Sequence, residues 1–221
     1  MGSNEKETPI FDLIDLEVEL RGKMINIAKA DELSNIELSG NYFDLILRRP
    51  DGIRFRYRNE IGSILGDGTI RLVVKDEEPG KAINTFKKLI SIAKKMTEFD
   101  EEKELFNFDL VLILLFESKI GANNNISNFI GNEKIKLLSK TLGEDVRASY
   151  IGVYLREFGK PDCKEYMDID VEPSSEDLSK YWVKVRYNIK EQKGIGGLLD
   201  YIQEMISKAS SIVNMLEGER R

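Results

Sequence analysis

Residues 48 to 58 hold five arginines, Arg48, Arg49, Arg54, Arg56 and Arg58, against a single acid, Asp51. Three of them alternate with Ile53, Phe55 and Tyr57, so a strand here carries Arg54, Arg56 and Arg58 on one face and apolar residues on the other. A guanidinium is a planar fork of donors that matches phosphate and carboxylate. The functional reading is an anion-recognition surface for phosphate, nucleic acid or an acidic protein. The competing reading is a solvated strand face, or an edge kept from aggregating by its charge, and charge runs are more often that. Arg71, Lys184 and Arg186 extend the basic set. The last two share a strand face with Trp182, an aromatic–basic combination suited to nucleic-acid bases, although a packed tryptophan is the commoner case.

The sign inverts further along the chain. Asp168, Asp170 and Glu172 alternate with Met167, Ile169 and Val171. Alternate residues of a strand lie roughly 6.5–7 Å apart, too far for three carboxylates to hold one ion without help from neighbouring strands, so no metal site is assigned. Asp15, Glu17 and Glu19 form a second acidic row, and in neither row does a motif identify an acid and a base. A simpler account uses the complementarity. The arginine row and the carboxylate row pair across neighbouring strands or between subunits. Exposed pairs contribute only about 0–1 kcal/mol each, which sets orientation more than affinity.

Other chemistry is excluded by residue type. The chain of 221 residues has no histidine, hence no Ser-His-Asp triad, no Cys-His pair and no imidazole metal ligand. Its one cysteine, Cys163, forms no internal disulfide and no multi-cysteine metal site. Gly194, Gly196 and Gly197 precede a helix without Rossmann or P-loop spacing and read as a connector. No cofactor is expected. The formal charge of −6 opposes nonspecific binding to nucleic acid or anionic membrane. The longest apolar run, Leu110 to Phe116, is far short of the roughly 20 residues that span a bilayer. Met1 to Thr8 is polar and lacks a signal peptide's apolar stretch, so a cytoplasmic location is the expectation.

The elements that must position these rows follow from periodicity. Ile14 to Leu20 alternates as a half-buried strand. Met24 to Leu38 carries a helical stripe, and strands follow at Tyr42–Arg48, Ile53–Arg58 and Thr69–Lys75, separated by Pro50-Asp51-Gly52 and Gly66-Asp67-Gly68. Pro79 opens a helix with apolar positions Ala82, Ile83, Phe86, Leu89, Ile90, Ala93 and Met96. The order then repeats. Phe108–Phe116 is a strand apolar on both faces, and Ile126–Leu142 is a helical stripe. Strands come at Tyr150–Phe158, Tyr166–Val171 and Tyr181–Ile189, and a last helix runs from Gly197 to Leu216.

This doubled order of strand, helix, three strands and long helix resembles the TATA-box-binding-protein fold over roughly Phe11 to Leu216. The resemblance implies a curved antiparallel sheet with a long helix from each half on one side. It is one of topology: the family's intercalating phenylalanine pairs and basic character have no counterpart here, so DNA binding does not come with it. A pair of helix-backed antiparallel sheets in two small domains is the rival architecture. The expected organisation is α+β, with a disordered N-terminus at 1–10, a first repeat at 11–104 and a second at 105–217 forming one composite domain.

Both schemes leave one sheet face open. Val111, Ile113 and Leu115 on that face call for cover, by the Asn-rich insertion Gly121–Asn125 with its helix or by a second subunit. The expected function is a non-enzymatic binding or scaffold protein that self-associates or takes a protein partner through the open face, with no membrane contact. The alternative is a nucleic-acid-binding regulator using Arg48, Arg49, Arg54, Arg56, Arg58, Arg71, Lys184 and Arg186. A carboxylate-based metal enzyme ranks last.

Overall fold

The computed structural model describes residues 11–21, 45–57, 60–75, 105–143, 150–156, 163–194 and 197–218, with Lys81, Asn84, Lys87 and Ser91 between them. Its strands are β1 (Phe11–Arg21), β2 (Leu45–Arg49), β3 (Gly52–Tyr57), β4 (Glu60–Leu65), β5 (Thr69–Lys75), β6 (Leu105–Phe116), β7 (Ile151–Arg156), β8 (Glu165–Pro173) and β9 (Tyr181–Lys193). They form one antiparallel sheet in the order β2-β3-β4-β5-β1-β6-β9-β8-β7. The helices are α1 (Ala122–Ile130), α2 (Asn132–Leu142) and α3 (Leu198–Leu216). The architecture is therefore α+β with an antiparallel sheet.

Each strand shows why it lies where it does. On β6, Phe106, Phe108, Leu110, Leu112, Leu114 and Phe116 are fully buried. The alternate residues Asp109, Val111, Ile113 and Leu115 are half-buried. Tyr181, Val183, Val185 and Tyr187 on β9 continue the buried face, as do Met167, Ile169 and Val171 on β8 and Ile70, Leu72 and Val74 on β5. Period-two alternation gives each strand one core face, and the registers bring those faces to the same side of the sheet.

Helix α3 covers that side. It packs on β9 and β6 and buries Leu198, Ile202, Met205, Ala209, Val213 and Leu216, a 3.6-residue stripe. Helix α1 packs on β8 and α3 and adds Ala122 and Ile126 to the same core. The exposed helical residues Lys81, Asn84, Lys87 and Ser91 have the spacing of a helix's outer face and lie within the helix expected after Pro79. The Met24–Leu38 stripe lies outside the described residues.

Four expectations need correction. A strand was not foreseen at Glu60–Leu65, so among the described residues four strands, and not three, stand between β1 and β6. Gly62 and Ser63 interrupt its apolar pattern; Gly62 is accommodated because it pairs between Phe55 and Leu72 in mid-sheet. The stripe at Ile126–Leu142 is two helices, broken at Gly131, whose φ of 98° suits glycine. The asparagines of 123–125 lie inside α1, not in a loop before it. The register of β1 shifts between Leu13 and Asp15, which leaves Ile14 as the extra residue of a bulge and outside the apolar row assigned to it.

Candidate open-face interface

The open face is the one opposite α1 and α3. Its rows follow from the registers. One row runs from Arg54 through Ser63, Arg71, Glu19, Asp109 and Asn188 to Tyr166. The next runs from Arg56 through Ile61, Val73, Glu17, Val111, Arg186 and Asp168 to Tyr154. A third has Lys75, Asp15, Ile113, Lys184, Asp170 and Gly152. Leu115, Trp182 and Glu172 begin a fourth.

The basic set is consequently split. Arg49, Arg54 and Arg56 are exposed at the β2–β3 edge. Arg54 lies 3.6 Å from Asp51. Neither Arg49 nor Arg56 has an ion partner among the described residues. Arg48 is in register with buried Ile53, whereas Arg49 is in register with Gly52, so Arg48 leaves the row of Arg54 and Arg56. A tight hairpin places neighbouring residues on alternate faces, which the run of charges concealed. Arg58 lies outside the described residues. Arg71 is exposed on β5, two strands inward. Lys184 and Arg186 stand on β9, three strands beyond that.

The acidic row has its own neighbours. Asp168 is in register with Arg186 and Asp170 with Lys184. Intramolecular pairing of Asp168, Asp170 and Glu172 with Arg54 and Arg56 is thereby overturned, because β8 lies six strands from β3. At roughly 4.8 Å a strand that is about 29 Å, several times the reach of an arginine side chain.

Compensation around the acids is incomplete. Arg186 Nε lies 3.6 Å from Asp109 Oδ1, an ion pair too long for a hydrogen bond. Buried Asp168 Oδ1, Arg186 Nε and Asn188 Oδ1 have no hydrogen-bond partner among the described residues. Burial pushes the Asp168 carboxyl above its ordinary range, Asp170 adds to the rise, and Arg186 and Lys184 oppose it.

Tyrosines finish this end. Tyr150 and Tyr154 are 51% and 57% exposed. The Tyr150 ring lies over Gly152, where a Cβ would stand 2.8 Å from its hydroxyl. That hydroxyl donates to Asp170 Oδ1, and the bond raises the phenol to about 12. Arg156 fixes the far end of β7. Its Nη2 donates to both Glu204 carboxylate oxygens of α3 at 2.8 Å, it pairs with Glu165, and its guanidinium stacks 4.8 Å from the Tyr187 ring centre.

The middle of the face is apolar. Val111, Ile113, Leu115 and Trp182 are half-buried, and on β4 Ile61 is 53% exposed. The Asn-rich segment does not cover this band. Asn125 donates to the core-face Tyr181 hydroxyl at 2.7 Å, which places α1 on the α3 side. Sequence reasoning missed Tyr150 and Tyr154, although their spacing around Gly152 was a usable signal.

No group of three or more metal-ligating acids or cysteines stands together among the described residues, and no described helix is long and apolar enough to cross a membrane. No protein-family model matches the chain, and no curated protein matches its sequence.

Proposed function

We propose that this chain is a non-enzymatic, cytoplasmic binding or scaffold protein that self-associates through the open face of its sheet. The observation that carries the reading is the apolar band of Val111, Ile113, Leu115 and Trp182, which no described element covers and which is flanked by ends of different charge character. Half-buried aliphatic residues beside a tryptophan supply the desolvated centre of a protein interface, and the charged flanks supply its rim. The chain is built as a duplicated unit of TATA-box-binding-protein-like topology. Supporting this, β1 pairs with β5, the last strand of its half, and β6 with β9, the last of the other. The remaining strands run outward in each half, and β1 and β6 pair at the middle.

The test is sedimentation equilibrium over a wide concentration range, on the wild type and on Ile113→Asp. The expected result is concentration-dependent association that Ile113→Asp abolishes while its circular dichroism is unchanged. A wild type that stays monomeric throughout refutes the reading. Exposed Arg49 and Arg56, without ion partners among the described residues, favour the second reading, a nucleic-acid-binding regulator. Under it, affinity for DNA or RNA falls steeply with salt and drops on Arg56→Ala. The Asp15, Glu17 and Glu19 positions across mid-sheet disfavour a phosphate backbone lying along the whole face.

A further inference from the structure

We infer that helix α2 is a membrane-surface anchor. It lies flat on an anionic lipid surface, with its apolar stripe at the acyl boundary and its lysines among the headgroups. The inference goes beyond self-association and uses a different side of the molecule. Helix α1 sits on the α3 side of the sheet, opposite the open face, and among the described residues α2 packs chiefly on α1.

No residue of α2 is buried, which sets it apart from α1 and α3. At 11 residues it is shorter than the roughly 12–15 that an isolated helix needs to persist in water. A surface under its apolar side stabilises such a helix. Ile135, Leu138 and Leu142 are spaced i, i+3 and i+7 and form one stripe. Leu137 and Leu142 are each 65% exposed and Leu138 49%. Phe129 adds an exposed ring from the last turn of α1. Soluble chains rarely gather this many exposed large apolar side chains on one short segment unless something covers them.

The charges point to the cover. Helix α2 carries Lys134, Lys136 and Lys140 against Glu133 alone, all exposed, and α1 carries no charge. The three lysines have no ion partner among the described residues. Lysine is depleted from protein interfaces, where arginine, tyrosine and tryptophan gather, and neither helix contains any of those three. A lysine-flanked apolar stripe instead suits anionic lipid: phosphates take the ammonium groups while the aliphatic stems lie along the acyl boundary. The helix is too short to span a bilayer, so the contact is with the surface. The net charge of −6 opposes adhesion of the chain as a whole but not this local contact. At physiological salt, charges more than about 8 Å from the lipid are largely screened.

The experiment is co-sedimentation of the full chain with phosphatidylcholine vesicles, with and without phosphatidylserine, from low to high salt. The expected result is binding to the phosphatidylserine vesicles at low salt and little binding to phosphatidylcholine alone. A lysine near such a surface contributes roughly fivefold in affinity, so Lys134→Gln/Lys136→Gln/Lys140→Gln loses on the order of a hundredfold. Leu138→Ser/Leu142→Ser loses about tenfold or more. Both variants keep the wild-type urea midpoint, because α2 contributes no residue to the core. Absence of binding to phosphatidylserine vesicles at low salt overturns the inference, as does binding that the lysine variant retains in full. If Leu138→Ser/Leu142→Ser lowers the protein's mass in vesicle-free solution, the cover is a second copy and the lipid contact falls. Ile113→Asp, altered on the opposite face, loses self-association and still binds vesicles; loss of vesicle binding in that variant puts the lipid contact on the open face and also overturns the inference.

Discussion

Glu217 follows the last turn of α3, the end of a helix where the backbone dipole disfavours a negative charge by about 0.3–1 kcal/mol. Its surroundings explain the placement. Oε1 accepts from Ser118 Oγ at 2.6 Å, Asn125 Nδ2 at 2.8 Å and the Tyr181 hydroxyl at 2.9 Å. Oε2 accepts from the Lys119 amide at 3.1 Å. One carboxylate thus ties the turn after β6, helix α1 and strand β9 to the end of α3. We predict that Glu217→Ala destabilises the fold by about 2–3 kcal/mol. Ser118 and Lys119 reach water in the variant and count for little. Tyr181 does not: it is fully buried, and its hydroxyl hydrogen loses its acceptor, a loss of about 1–3 kcal/mol. Asn125, also buried, keeps Tyr181 and Ser118 as acceptors and adds a smaller amount. Relief of the dipole term returns a fraction. Glu217→Gln keeps Oε1 as an acceptor and costs about 1 kcal/mol or less. The assay is urea unfolding, with stability read from the midpoint at constant slope. Tyr181→Phe removes the stranded hydroxyl, so the double variant Tyr181→Phe/Glu217→Ala is more stable than the sum of the two single losses requires. Because the partners are uncharged, the loss is nearly the same at low and high salt. A change within 0.5 kcal/mol of wild type, or strict additivity with Tyr181→Phe, refutes the reasoning.

Other substitutions test separate parts of the structure. Asp168→Asn raises the melting temperature at neutral pH: a carboxyl held above its ordinary 3.8 by burial costs the native state more as pH rises through and above that value. The advantage over wild type therefore vanishes below about pH 3.8, where both states are protonated, and thermal melts across pH measure it. Gly52→Ala costs about 1–3 kcal/mol by urea unfolding, because the added Cβ falls 2.9 Å from Leu65 Cα and closer still to the Ile64 carbonyl, backbone atoms that cannot step aside. Gly152→Val displaces only the flexible Tyr150 ring, so stability changes by less than about 1 kcal/mol, but Tyr150 loses Asp170 and its titration falls from about 12 toward 10, read by difference absorbance against wild type. Arg156→Ala releases β7 from Glu204 and Glu165, and hydrogen exchange of the β7 amides accelerates more than that of β9.

Strict alternation made β8 and β9 legible, and the apolar stripe of residues 197–216 made α3 legible, because in each the local pattern and the buried face agree. Strand β4 was illegible for the opposite reason: Gly62 and Ser63 carry no strand signal, and the strand exists because β3 and β5 flank it. Helix α1 has three consecutive asparagines, poor helix formers, and is held by Ala122 and Ile126 in the core and by the Asn125–Tyr181 bond. The charged rows were visible residue by residue, yet their partners depend on strand order, which no local pattern contains. That β9 and not β3 lies beside β8 decided the meaning of the acidic row.

The pairing of β1 on both sides sets an order of events during synthesis. One side of β1 closes against β5, which ends at Lys75, and the other against β6, which ends at Phe116. At about 5–20 residues per second, the roughly 40 residues between those points take some 2–8 s to emerge. Throughout that interval a half-made sheet presents the amides and carbonyls of an eleven-residue strand as an open seam. An open seam of that length is a ready template for another chain, and only β6 closes it.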